Sequence, residues 1–485
     1  MSDETIHNFS PKNGSLGWQG IVVALLVVLL ILSTYASLRR QAVKNADAQS
    51  NLLLESIIAS KQAFFFSMLI PKSISVQQKT IVDQDAFKAL KTFARNTGDP
   101  EKWLELSLLQ YYLSDADWKA SLRNIGNSPS MQGLNAAAWQ GILENKKLPA
   151  GLTLNASVGI VRGMKLGWYR HLALSAIYNA GADHLHASEE MKAAMVSVLL
   201  MFGIVCLAYG GGFIGFALLV ALIISIHLHK QNPENPLPAI LTPYPPEPLN
   251  RKKGDLLYAI FIIYLLSFLL MRYLGELLVL KIPAADRVVS NPIELTLALT
   301  LTFLSGLIPV IFLVIWGRRV GLKASDLGYR RGRIGMDMLW GVGGYLMSLP
   351  IVLFVSLISA AIFRHVNTPN NPAILAFTDT TSPFLKCFMF LEAALIAPFA
   401  EETMFRAVFF RGLSSRMNVL PAMLIASLVF AILHPQLPLG FAAIFVIGFT
   451  LNALFYFRGS IAADITAHAL NNSLILLFLF LLLGR

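Results

Sequence analysis

Apolar residues in this chain gather into long, nearly unbroken runs. Runs of roughly 17–25 residues, enough to cross a ~30 Å hydrocarbon core, lie near 19–38, 193–228, 255–280, 292–316, 337–363, 384–411, 418–434, 439–457 and 461–483. The run at 193–228 reads either as one long helix or as a tight hairpin turning at Gly210-Gly211-Gly212. The pattern predicts an all-α, polytopic helical membrane protein.

Between the first two runs the pattern changes. Residues 39–191 mix polar and apolar positions at helical spacing, with Phe87, Leu90, Phe93 and Ala94 on one face. Asp99 is placed as an N-cap, with Pro100 at the first helical position, ahead of Trp103, Leu104, Leu106, Leu108, Tyr111 and Tyr112. A second aromatic helix runs through Trp168, Tyr169, Leu172, Ile177 and Tyr178. The stretch has the size of a domain and is read as a helical soluble domain between the first two membrane segments. No fixed period marks it as a repeat array. Further on, Pro233, Pro236, Pro238, Pro243, Pro245, Pro246 and Pro248 forbid helix and impose an extended spacer. The expected organisation is a tail and membrane anchor (1–38), the helical soluble domain (39–191), a second anchor (192–229), a proline-rich linker (230–254) and a membrane domain (255–485).

Composition agrees with this reading. The chain is 55% hydrophobic and 14% charged, against about 45–50% and about 25% in soluble domains. The net charge of +11 is cytoplasmic-loop bias, not a nucleic-acid footprint. Arg251, Lys252 and Lys253, then Arg318, Arg319, Lys323, Arg330, Arg331 and Arg333, mark loops read as cytoplasmic. With 193–228 as a single span, 39–191 then lies outside, against the bias of Arg39 and Arg40; a hairpin would reverse it. Asp3 and Glu4 against Lys12 are wrong for a secretory signal, so the first run is read as a retained anchor. Cys206 and Cys387 both fall in predicted spans, and no zinc-type cysteine spacing occurs. The expected location is multi-pass in the cell membrane.

Three patterns near the C-terminus carry candidate chemistry: Glu401-Glu402-Thr403-Met404-Phe405-Arg406, Phe430-Ala431-Ile432-Leu433-His434 and His468-Ala469-Leu470-Asn471-Asn472. Ionisable residues inside a bilayer are expensive and are functional candidates by default. In the first and third patterns the polar partners are one helical turn apart and share a face, as Phe430 and His434 do in the second. Pro398 perturbs the helix just before the first pattern. Glu402 and Arg406 have the favourable ion-pair order, which leaves Glu401 free to act as a general base. Phe430 is placed to wall a pocket beside His434. His468 and Asn472 can donate hydrogen bonds to an oxyanion, and the same two residues would serve as a helix–helix hydrogen-bond pair. At 1.5 Å per residue, Glu401 stands roughly 15 Å above its loop, His468 roughly 10–12 Å and His434 roughly 24 Å. Convergence therefore requires a tilted helix or a loop that dips inward.

Glu-Glu-x-x-x-Arg, Phe-x-x-x-His and His-x-x-x-Asn, in this order on successive membrane helices, resemble the CAAX protease and bacteriocin-processing (CPBP) family of intramembrane proteases. That family includes the endopeptidases that remove the last three residues of prenylated proteins. The basic loop Gly321-Leu322-Lys323-Ala324-Ser325-Asp326-Leu327-Gly328-Tyr329-Arg330-Arg331 adds to the likeness, which covers about 317–483. The resemblance implies that Glu401 and His434 activate water, that His468 and Asn472 form the oxyanion site, and that Glu402, Arg406 and Phe430 support them. It implies a substrate that is a membrane-anchored protein or peptide, cut near an anchored or prenylated C-terminus. The family is called a metalloprotease, yet a Glu/His pair also activates water without metal, so a divalent ion such as zinc is left open as cofactor.

Two other readings remain. One is a non-catalytic membrane scaffold or immunity protein that keeps the protease fold, with 39–191 as the module that binds a protein partner. The other is a transporter, which the lack of internal duplication disfavours. As an enzyme, the chain is expected to use 39–191 to recruit or restrict substrates without supplying a catalytic group.

Overall fold

A computed structural model describes residues 19–30, 46–69, 76–125, 131–232, 234, 249–280, 292–330, 333–363, 382–434 and 436–483. The N-terminal tail, Arg39, Arg40, Arg331, Pro435 and the proline-rich linker (235–248, with Pro233) lie outside the described residues. Every described element is a helix, and no strand occurs among the described residues. The elements are α1 (Gln19–Leu30), α2 (Ala46–Leu69), α3 (Val76–Thr97), α4 (Pro100–Tyr112), α5 (Trp118–Leu122), α6 (Ala136–Asn145), α7 (Leu154–Gly163), α8 (Tyr169–Ala180), α9 (His184–Gln231), α10 (Arg251–Leu280), α11 (Pro292–Arg319) and α12 (Ile334–Ile362). They continue with α13 (Pro383–Ser414), α14 (Val419–Leu433), α15 (Phe441–Arg458) and α16 (Ile461–Leu483).

Among the described residues, six helices (α9, α10, α12, α13, α15 and α16) are long and apolar enough to cross a bilayer. The protein is an integral, multi-pass membrane protein. The choice left open at 193–228 is settled in favour of one helix. α9 runs 48 residues without a break, about 70 Å of helix.

The chain folds as two compact units, Met1–Gln41 with Leu207–Leu476 and Ala42–Cys206 with Leu477–Arg485. In the second unit, Asp99 caps α4 as expected, accepting a hydrogen bond from the Glu101 amide at 2.9 Å, with Pro100 in the first turn. Leu90, Phe93, Ala94, Leu104, Trp139, Trp168, Tyr169, Leu172 and Ile177 are buried together as its apolar core. Lys61 on α2 is fully buried as well. Its Nζ donates to Ser197 Oγ at 2.9 Å and to the Leu481 carbonyl at 2.5 Å. That carbonyl belongs to the last turn of α16, where backbone acceptors have no partner within the helix.

Burial pushes the Lys61 ammonium down from 10.5 to about 7. Between those two values the folded unit holds fewer protons than the unfolded chain, so raising the pH favours the fold. Melting temperature should rise across that window in the wild type and stay flatter in Lys61→Met. Parallel curves for the two proteins would contradict this.

The first unit packs α10, α13 and α14 around Leu257, Phe261, Phe405, Phe409, Met423 and Phe430. The rings of Phe261 and Phe409 stack at 3.9 Å, and Phe405 meets Phe430 edge-on at 5.0 Å. In lipid such contacts, together with close helix approach at small residues, replace the hydrophobic drive between helices. Gly215 of α9 and Gly341 of α12 show the close approach. A Cβ on them would stand 1.8 Å from the Leu346 carbonyl oxygen and 2.4 Å from that of Ala463, respectively. The basic loops gather at one end of the unit. There Lys253 Nζ meets Asp326 Oδ2 at 2.6 Å, and Arg416 pairs with Asp255 over the Tyr258 ring.

Candidate active site

α13 carries the first pattern and is not a regular helix. Pro398 has no N–H, and its ring clashes with the preceding turn. The chain answers with a wide π-turn over Glu392–Ile396, in which the Ala397 N–H bonds back to the Glu392 carbonyl. One extra residue in the turn changes what faces what. In a regular helix Glu392 and Glu401, nine steps apart at about 100° each, would lie on opposite faces; the extra residue brings them to within about 80°. A second wide segment, Thr403–Phe410, follows. Thr403 Oγ1 donates to the Phe399 carbonyl at 2.7 Å and lies 2.6 Å from the Tyr329 hydroxyl.

Glu402 and Arg406 are fully buried and paired, with Nε–Oε2 at 3.0 Å and Nη1–Oε1 at 3.1 Å. The guanidinium lies 4.5 Å from the Phe430 ring centre and donates to the Gly448 carbonyl at 3.3 Å. Glu402 Oε1 also takes the Nδ1–H of His468 at 2.7 Å. This fixes the ring's orientation and turns its Nε2 toward Glu401, at 3.9 Å from Oε2. His434 is fixed in the same way from another helix. Its own N–H bonds to the Ala431 carbonyl. That frees the Phe430 carbonyl near the end of α14, and His434 Nδ1–H donates to it at 2.7 Å. The His434 Nε2 then lies 4.0 Å from the same Glu401 oxygen.

Glu401 Oε2 is thus buried, flanked by two imidazole nitrogens and without a hydrogen-bond partner in the protein. The gaps are too long for hydrogen bonds and within reach of a shared water. Glu401 and His434 keep 28% and 25% of their side-chain surface open, whereas His468 keeps 6%. Glu401 and His434 are thus the more open of the three.

Residues 383–474, which hold all of these groups, match the family model described as Type II CAAX prenyl endopeptidase Rce1-like. The segment is Rce1-like. A curated relative, "Putative membrane peptidase YdiL" of Bacillus subtilis (strain 168), is 28% identical over 155 residues. That alignment covers 30% of this chain and 59% of the relative. No solved structure matches.

The Rce1-like segment contains all seven residues singled out from the sequence. Glu401, Glu402, Arg406, Phe430, His434 and His468 meet in one cluster. Asn472 lies one turn further along α16, with Nδ2 donating to the Ala393 carbonyl at 2.8 Å and Oδ1 accepting from Asn471 at 3.2 Å. No group of three or more His, Cys, Asp or Glu side chains among the described residues is set to hold a metal ion.

Three further groups belong to the neighbourhood. Glu392 is buried and interacts electrostatically with Glu401. Tyr264 on α10 also feels the Glu401 charge. Asp464, one turn before His468, is fully buried, with neither carboxyl oxygen hydrogen-bonded, and lies in the field of Glu402, Arg406 and Asp337. As carboxyls in apolar runs, Glu392 and Asp464 carried the signal that singled out Glu401. Glu392 has no polar partner one turn away, and the partner of Asp464, His468, also stands one turn from Asn472.

Proposed function

We propose that this protein is an intramembrane endopeptidase that hydrolyses a peptide bond near a membrane-anchored or prenylated C-terminus. The observation that carries the reading is the open Glu401 carboxylate between two imidazoles whose Nδ1–H groups are both already committed.

In this reading a water lies between Glu401 and His434. Glu401 takes one of its protons as the oxygen attacks the peptide carbonyl. His468, its ring held at Nδ1 by Glu402, turns Nε2 to the oxyanion. The second amide N–H of Asn472 is the other donor. Collapse breaks the C–N bond, and Glu401 returns its proton to the leaving amine. Glu402 and Arg406 hold His468 in place, and Phe430 walls the site. The Rce1-like match and the membrane peptidase relative support this class of activity.

The test is a purified-protein assay with matched prenylated and unprenylated C-terminal peptides and a Glu401→Ala control. Cleavage of the prenylated peptide at a higher kcat/KM, absent in the control, is expected. Equal cleavage of both peptides would remove the prenyl part of the proposal. Cleavage by the control would remove the catalytic assignment.

A further inference from the structure

Asn472 does something in this structure that the oxyanion assignment does not require. Its Nδ2 donates to a backbone carbonyl, that of Ala393, in the middle of a membrane helix. Mid-helix carbonyls ordinarily have a backbone partner; this one does not. The α-type donor for Ala393 is the amide of Ala397, and that amide is bonded to Glu392. The π-type donor would be the amide of residue 398, which is a proline. The combination of wide turn and proline therefore strands one carbonyl inside a low-dielectric bundle, where an unpaired acceptor is costly.

We propose that Asn472 is a positioning residue. Its amide replaces the backbone donor that Pro398 removes, holds the wide turn at 392–396 in place, and thereby fixes the direction in which the Glu401 carboxylate points. The side chain has two N–H groups. One clamps the turn, and the other stays available to the reacting carbonyl. Glu401 is three residues past Pro398, so a shift in the turn moves the carboxylate relative to His434 on α14 and His468 on α16. A displacement of about 1 Å at such a site can cost up to roughly 100-fold in rate.

The activity arm of the test rests on the peptidase reading; the stability arm does not. A double-mutant cycle on residues 398 and 472 separates them. In Pro398→Ala the new amide N–H can serve the Ala393 carbonyl itself. Asn472→Ala in the native background should lower the melting temperature by several degrees and kcat by about 10- to 100-fold, with KM nearly unchanged. In the Pro398→Ala background the same substitution should cost little stability, and its kcat loss should shrink at least threefold. What remains is the share of the oxyanion donor. Losses of equal size in the two backgrounds, in both readouts, overturn the clamp. Coupling in melting temperature without coupling in kcat leaves a structural bond and overturns the positioning role. If Asn472→Ala does not accumulate, the double variant decides: recovery of folded, inserted protein supports the clamp, and continued failure overturns it. If the wild type shows no peptidase activity at all, the function reading fails, while the melting cycle still tests the clamp.

Discussion

Glu401→Gln is expected to abolish peptidase turnover while leaving insertion and melting temperature unchanged. The amide has the shape of the carboxylate but cannot accept the proton from water, and general-base catalysis is typically worth 10²–10⁴-fold. Stability should hold because the Oε2 that changes has no hydrogen-bond partner in the protein, and the side chain is partly open. Substitutions that disturb no packed or bonded group usually stay within about ±0.5 kcal/mol. Steady-state kinetics beside a thermal melt read both halves of the prediction. Retained turnover would show that Glu401 is not the base. Lost turnover with a collapsed melt would show that it is structural.

Glu402→Gln has the opposite expected profile. Glu402 and Arg406 are both completely buried, and removing one charge of a buried pair typically costs about 3–5 kcal/mol because the other is left uncompensated. The same change weakens the bond that orients His468 at 2.7 Å. The variant should melt far below both the wild type and Glu401→Gln. Its folded fraction should keep more activity than Glu401→Gln retains. A melting temperature equal to that of the wild type would remove Glu402 from the account of what holds the site together. The adjacent glutamates of one pattern thus divide between chemistry and stability, and the two melts distinguish them.

Much of this arrangement can be read from the residues. The nine apolar runs each fall on a described helix, six of them long and apolar enough to cross a bilayer, and the Asp99 and Pro100 start of α4 follows local capping rules. The three patterns could be paired because each puts its polar groups on one helical face. What could not be read has one main cause: arguments from a period of 3.6 residues assume an unbroken α-helix. On that period Glu392 falls opposite Glu401, and nothing in it shows that the Ala393 carbonyl needs Asn472. Depth arithmetic at 1.5 Å per residue also spread Glu401 and His434 apart, whereas the structure brings them to 4.0 Å. Asp464 stands one turn before His468, but the charges that surround it, Glu402, Arg406 and Asp337, are distant in sequence. The grouping of Leu477–Arg485 with Ala42–Cys206 rests on contacts such as Lys61 with Leu481, 420 residues apart in the chain, which no local pattern encodes.

The most direct test of the central claim is mass spectrometry of a prenylated C-terminal peptide incubated with the purified protein in water enriched in oxygen-18. If Glu401 directs a water onto the peptide carbonyl, the new carboxyl terminus carries one heavy oxygen from a single turnover, and Glu401→Gln yields no product. An uncleaved peptide with the wild type, or labelled product at the same rate with Glu401→Gln, would contradict the account.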